Sequence, residues 1–131
     1  MFAVGGSGTI LHYNGSSWSA MTSGTTQYLN GVWGSSGSDV FAVGGGYYMG
    51  GYSGTILHYN GSAWSAISSG TLQYLYGVWG SSGSDVFTVG YDNNNGNSII
   101  FHYNGNDWSS MLRGCAKITW HFHELPFGLI V

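Results

Sequence analysis

Apolar residues in this chain come in short runs broken by Gly, Ser, Asn and Asp, and nowhere do they recur at helical spacing. In one stretch "YLNGVWG" (28–34) leads through "SSGSD" to "VFAVG" (40–44), then to "TILHY" (55–59) and, across "NGSA", to "WSAIS" (64–68). Each run has the length and the β-branched and aromatic content of a strand. The separators Gly37-Ser38-Asp39 and Asn60-Gly61 predict hairpin turns. Asn and Gly accept the positive φ of a tight turn, and an Asp side chain bonds its own backbone two residues on.

The pattern repeats. Residues 7–44 match residues 53–90 at a shift of 46 with six differences: Ser17/Ala63, Met21/Ile67, Thr22/Ser68, Thr26/Leu72, Asn30/Tyr76 and Ala42/Thr88. A looser third copy, "NSIIFHYNGNDWSSM", follows 44 residues after the second. Four antiparallel strands per unit of roughly 40 to 46 residues predict an all-β chain built of β-propeller blades. The blades fall within residues 1–114, a partial one at 1–24, a second at about 25–70 and a third at about 71–114. Residues 1–5 match 40–44, so the first blade starts without its first strand. Residues 115–131 match no repeat, but "KITWHF" alternates as a strand does and is a candidate for that missing strand.

About three blades fall short of the 4 to 8 that known propellers close with. Two apolar faces would stay open, each larger than a monomer tolerates. The expected remedy is self-association, a homodimer closing a six-bladed ring or a larger ring; the rival is an incomplete piece with no activity of its own.

Composition sharpens this picture. Only seven residues are formally charged and the net charge is -3, while aromatics reach 17%. Few charges with many aromatics describe a folded chain with a neutral polar surface. With Arg113 and Lys117 the only permanent cations, neither nucleic acid nor an anionic membrane is an expected partner. The single Cys115 permits no internal disulfide.

"SGTTQYLNGV", "DVFAVG", "GTIL" and the polar turn before Trp resemble the repeat of the photosystem II assembly factor-like propellers, grouped with the Asp-box (BNR-type) repeats. The resemblance runs from Phe2 to about Arg113. It implies a propeller, and an extracytoplasmic or secreted bacterial setting, but it leaves the task open because such folds host many. Where that family carries an Asp in the turn, this chain has Asn14 and Asn60, in a turn one residue shorter.

The chemical candidates are few. His12, His58 and His102 recur with the blade and read as neutral side chains bonded to a neighbouring strand or turn. "HFHE" puts His121, His123 and Glu124 at a spacing some zinc sites use, though without a third histidine or a cysteine beside them. No cofactor is implied. Sialidases of the Asp-box kind grip their substrate with several arginines, and glycosidases use two facing carboxylates. This chain has one arginine, and Asp39 and Asp85 sit in equivalent turns where an Asx-turn role is expected.

The expected function is therefore non-enzymatic binding of a protein or glycan, with an Asp-box-type glycoside hydrolase relative as the alternative. The connector after "VFAVG" differs in every copy, and variable points of a repeat are surface loops where function concentrates. Its candidate ligand-binding residues are Tyr47, Tyr48, Tyr52, Tyr91, Asp92, Asn93 and Asn94. Tyr among Gly and Asn offers ring area and hydrogen bonds at low entropic cost.

Overall fold

In the computed structural model, residues 1–48, 50–68, 74–92 and 96–113 are described, and they form three antiparallel sheets. The first has three strands, β1 (Phe2–Val4), β2 (Ile10–Tyr13) and β3 (Trp18–Met21). The second has four in chain order, β4 (Tyr28–Ser36), β5 (Asp39–Tyr48), β6 (Gly51–Tyr59) and β7 (Trp64–Ile67). The third repeats that order with β8 (Tyr74–Ser82), β9 (Asp85–Asp92), β10 (Asn97–Tyr103) and β11 (Trp108–Arg113). The C-terminal segment, with its proposed strand "KITWHF" and with His121, His123 and Glu124, lies outside the described residues.

The Asn-Gly turns form as their chemistry dictates. Asn14 Oδ1 accepts the N–H groups of Ser16 and Ser17 at 2.9 and 3.0 Å, and Asn60 and Asn104 do the same in their copies. The glycine that follows each has φ near +100° (103°, 94° and 97°), which a Cβ disfavours. The preceding tyrosine closes the loop, its hydroxyl donating to that glycine's carbonyl at 2.9 Å each time.

One expectation changes. Most of "GGYYMGGY" is strand and not loop: the β5–β6 ladder continues through Gly45↔Gly54, Gly46↔Ser53 and Tyr47↔Tyr52 to Tyr48↔Gly51. Tyrosines favour a pleated surface, and a directly opposed aromatic pair stabilises the extra length. Tyr91 and Asp92 likewise end β9, opposite Ser98 and Asn97.

The sheets stack face to face. Val40 and Ala42 join Ile10, Leu29, Leu57 and Trp64 in a core between the first and second sheets. Phe41, Val43 and Ile56 meet Leu75, Val78, Val86, Ile99 and Phe101 between the second and third. Side chains alternate along a strand, so "VFAV" is apolar throughout because both of its faces are buried. At one end of the stack, β4 and β8 nearly touch. A Cβ on Gly31 would lie 3.1 Å from Gly77 Cα, the Asn30 amide donates to Leu75 O at 2.8 Å, and the Trp33 ring fills the space beside Gly80, where a Cβ would meet it at 2.7 Å.

An aromatic contact recurs between sheets. Phe2 meets Tyr59 (5.6 Å, 56°) and Trp64 (5.9 Å, 83°), and Phe41 meets Tyr103 (5.5 Å, 57°) and Trp108 (6.2 Å, 78°) in nearly the same geometry. Such pairs contribute about 0.5–1.5 kcal/mol each beyond the area they bury. Half of this contact is left over at each end of the stack. The first sheet carries the same Tyr13–Trp18 pair (5.2 Å), but Trp18 is 47% exposed. On the third sheet, Phe87 is half-buried and stacks only on its own His102 among the described rings.

Candidate functional site

Two side-chain constellations recur or converge strongly enough to be weighed as sites. In the first, His58 Nε2 donates to Asp39 Oδ1 at 2.6 Å, and His102 Nε2 to Asp85 Oδ1 at 2.7 Å; an ionised carboxylate only accepts, so the ring nitrogen carries the proton. The other carboxylate oxygen takes the Ser35 or Ser81 hydroxyl. Asp39 and Asp85 thus bind a serine across their own hairpin and a histidine on the third strand of their sheet, which departs from the Asx role expected of them. Each imidazole lies flat on a phenylalanine of the neighbouring strand, His58 on Phe41 and His102 on Phe87, with ring centroids 4.5 Å apart. His12 packs on Phe2 at 4.7 Å with the rings tilted by 35°.

A nucleophilic serine needs its hydroxyl on the histidine, with the carboxylate behind. Here the order is serine, aspartate, histidine, so the histidine does not face the hydroxyl. The arrangement clamps the β4–β5 and β8–β9 turns onto β6 and β10. Burial raises the Asp39 pKa, but the Ser35 and His58 hydrogen bonds outweigh it and leave it below the ordinary 3.8. The Ser81 and His102 hydrogen bonds lower that of Asp85. A carboxyl lowered in the folded state contributes stability that is present above its unfolded pKa and lost as pH falls through the folded value. We expect a melting temperature that is level down to about pH 5 and drops below about pH 4. An Asp39→Asn/Asp85→Asn double variant should start lower and show a shallower acid drop, and a drop of unchanged depth would remove the clamps from the account.

The second constellation is aromatic. Tyr47 and Tyr52 face each other across β5 and β6 with rings 5.1 Å apart at 71°. Tyr74 and Tyr91 face each other across β8 and β9, and Tyr76 packs on Tyr74 at 5.1 Å. The two groups adjoin: partial burial, then the nearby hydroxyls of Tyr74, Tyr91 and Tyr52, push the Tyr76 pKa up. The Tyr76 hydroxyl is thereby kept neutral above its ordinary range. Tyr47, Tyr52, Tyr76 and Tyr91 are exposed, at 65%, 37%, 44% and 37%.

Of the sequence candidates, the structure pairs Tyr47 with Tyr52 on the second sheet and sets Tyr91 opposite Tyr74 on the third, with Asp92 next in the chain. Tyr48 is placed by its backbone opposite Gly51, while Asn93 and Asn94 lie outside the described residues. Sequence reasoning missed Tyr74 and Tyr76 because they lie inside the repeat. Tyr76 did leave a signal, as one of the six differences between copies: its counterpart Asn30 is spent on a hydrogen bond to the third sheet.

Among the described residues no three His, Cys, Asp or Glu side chains gather as a metal site would require, and no helix is long and apolar enough to cross a membrane. Compared with known proteins, the chain matches no family model, no curated protein and no solved structure.

Proposed function

We propose that this chain is a non-enzymatic binding module of the β-propeller type, taking a glycan or a neutral protein surface on its tyrosine patch. The observation that carries the reading is a pair of tyrosine clusters at the ends of neighbouring sheets, Tyr47 against Tyr52 on the second and Tyr74 with Tyr76 and Tyr91 on the third, four of the five exposed. Rings of this kind stack on the apolar face of a sugar while their hydroxyls bond its polar edge, and two χ angles cost little entropy to order. The hydrolase alternative is weaker, because it asks for two free carboxylates facing one bond. Asp39 and Asp85 are each engaged by a serine and a histidine.

The propeller reading is supported by the repeat, by the face-to-face stack of sheets and by first strands that converge at one end. It keeps the resemblance to the Asp-box and photosystem II assembly factor-like repeats, with Asn in the place of Asp. What supports ring closure is that Tyr13 and Trp18 on one face and Phe87 with His102 on the other, among the described residues, are the two halves of the contact already made twice within the chain.

An array of neutral oligosaccharides tests the function. We expect saturable binding to a subset, weakened about tenfold or more by Tyr76→Ala or Tyr52→Ala, in line with loss of a central aromatic anchor. Binding that ignores both substitutions would take the patch out of the reading.

A further inference from the structure

Among the described residues the first sheet has no counterpart of β4 and β8, and the place beside β1 is shaped. We propose that the edge of β1 is an acceptor site for an extended peptide segment of the pattern Leu-x-Gly-Val-Trp-Gly, bound antiparallel, with its tryptophan seated over Gly34. This goes beyond the tyrosine patch, from which it is independent.

Three observations carry it. The first is a hydrogen-bonding edge that no described strand pairs with. Tyr13 N–H donates to Met1 O at 2.9 Å and Gly5 N–H to Thr9 O at 3.0 Å, so Met1 and Gly5 turn toward β2. By the alternation of an antiparallel ladder, Phe2 and Val4 turn their N–H and C=O groups to the opposite edge, where β1 has no neighbour among the described strands. An added strand gains its affinity from such an edge and its specificity from side-chain pockets.

The second is a cavity of about 270 Å³ beside that edge, lined by Phe2, Val32, Trp33, Gly34 and Val40 among others. Its size falls below the roughly 300–1,000 Å³ typical of small-molecule sites, and suits one large side chain. The third is that the chain fills the equivalent space itself one sheet along. There Trp33, opposite Phe41 in register, lays its ring beside Gly80, which is buried; Gly34, the equivalent glycine, is exposed, and the three atoms nearest to a Cβ there belong to its own hairpin. The same register recurs in the third sheet, with Trp79 opposite Phe87, Val78 opposite Thr88 and Gly77 opposite Val89. Transposed to β1, the incoming strand puts Trp opposite Phe2, Val opposite Ala3 and Gly opposite Val4.

The test uses the full chain and a fluorescently labelled peptide with the sequence of Tyr28–Ser36, read by anisotropy and by backbone NMR shifts. Expected are saturable binding, shifts centred on Phe2, Val4 and Gly34, and binding weakened about tenfold or more by a Trp33→Ala peptide. A peptide N-methylated at that tryptophan keeps the side chain but loses a ladder hydrogen bond, and should bind as poorly. The Tyr76→Ala protein should bind the parent peptide normally, which separates this site from the proposed patch. Absence of saturable binding, equal binding of the Trp33→Ala peptide, or shifts away from β1 would each overturn the proposal.

Discussion

Phe41→Ala is expected to destabilise the chain by about 3–5 kcal/mol, the range for deleting a buried aromatic ring from a packed core. Phe41 is fully buried between the second and third sheets. On its own sheet it stacks on His58 at 4.5 Å, and from the third it receives Tyr103 and Trp108. Truncation opens a void bounded by three rings, and none of them can close it without leaving its own contacts. Phe41→Leu keeps most of the volume and loses only the ring geometry, so it should cost about 1.5 kcal/mol or less. Guanidinium denaturation compares the two, with the midpoint falling at unchanged slope. A loss below about 1 kcal/mol for Phe41→Ala would mean that this contact does not hold the sheets together.

If the chain closes its ring by self-association as proposed, Trp18→Ser should abolish that association while leaving the fold intact. The Tyr13–Trp18 pair has ring centroids 5.2 Å apart, against 5.3 Å for Tyr59–Trp64 and 5.2 Å for Tyr103–Trp108. It is therefore already arranged to receive a phenylalanine before any partner arrives, and prearranged groups lose less entropy on binding. Its exposure, 47% against 9% for Trp64, is what an unfilled half-contact looks like. The complementary half, Phe87 on His102, repeats the Phe41–His58 stack at the same 4.5 Å. Light scattering is expected to give the parent chain a mass that is a multiple of 14.0 kDa, and Trp18→Ser the single-chain mass with an unchanged circular dichroism spectrum. Trp64→Ser supplies the contrast, because the same substitution inside the chain should unfold it. A parent that sediments as one chain would end the ring-closure reading, as would a Trp18→Ser variant of undiminished mass.

Much of the fold was legible because its signals are local. The Asn-Gly dipeptides at 14–15, 60–61 and 104–105 contain their own turn chemistry, and the side-chain oxygen, the positive-φ glycine and the tyrosine clasp, with their partners, all lie within five residues. The strands between them follow from β-branched and aromatic runs too short for helices. The extension of β5 and β6 was not legible. Glycine and tyrosine in "GGYYMGGY" read equally as loop, and the opposed Tyr47–Tyr52 pair that favours the ladder exists only once the strands are in register.

The candidate site divides in the same way. Tyr47, Tyr52 and Tyr91 stood out because they fail to repeat, while Tyr74 was hidden by repeating with Tyr28. The Asp39 and Asp85 pairings were missed because each crosses from a turn to a strand 19 or 17 residues away.

By itself, then, the sequence determined the strands, their turns, their threefold repetition and the two-faced alternation that sorts Val40 and Ala42 from Phe41 and Val43. Only the tertiary structure decided what covers each face. A period of two specifies which side chains share a side, but not which neighbour they meet, and the same Tyr–Trp pair is buried at Trp64 and left open at Trp18 according to whether a phenylalanine from the next sheet reaches it.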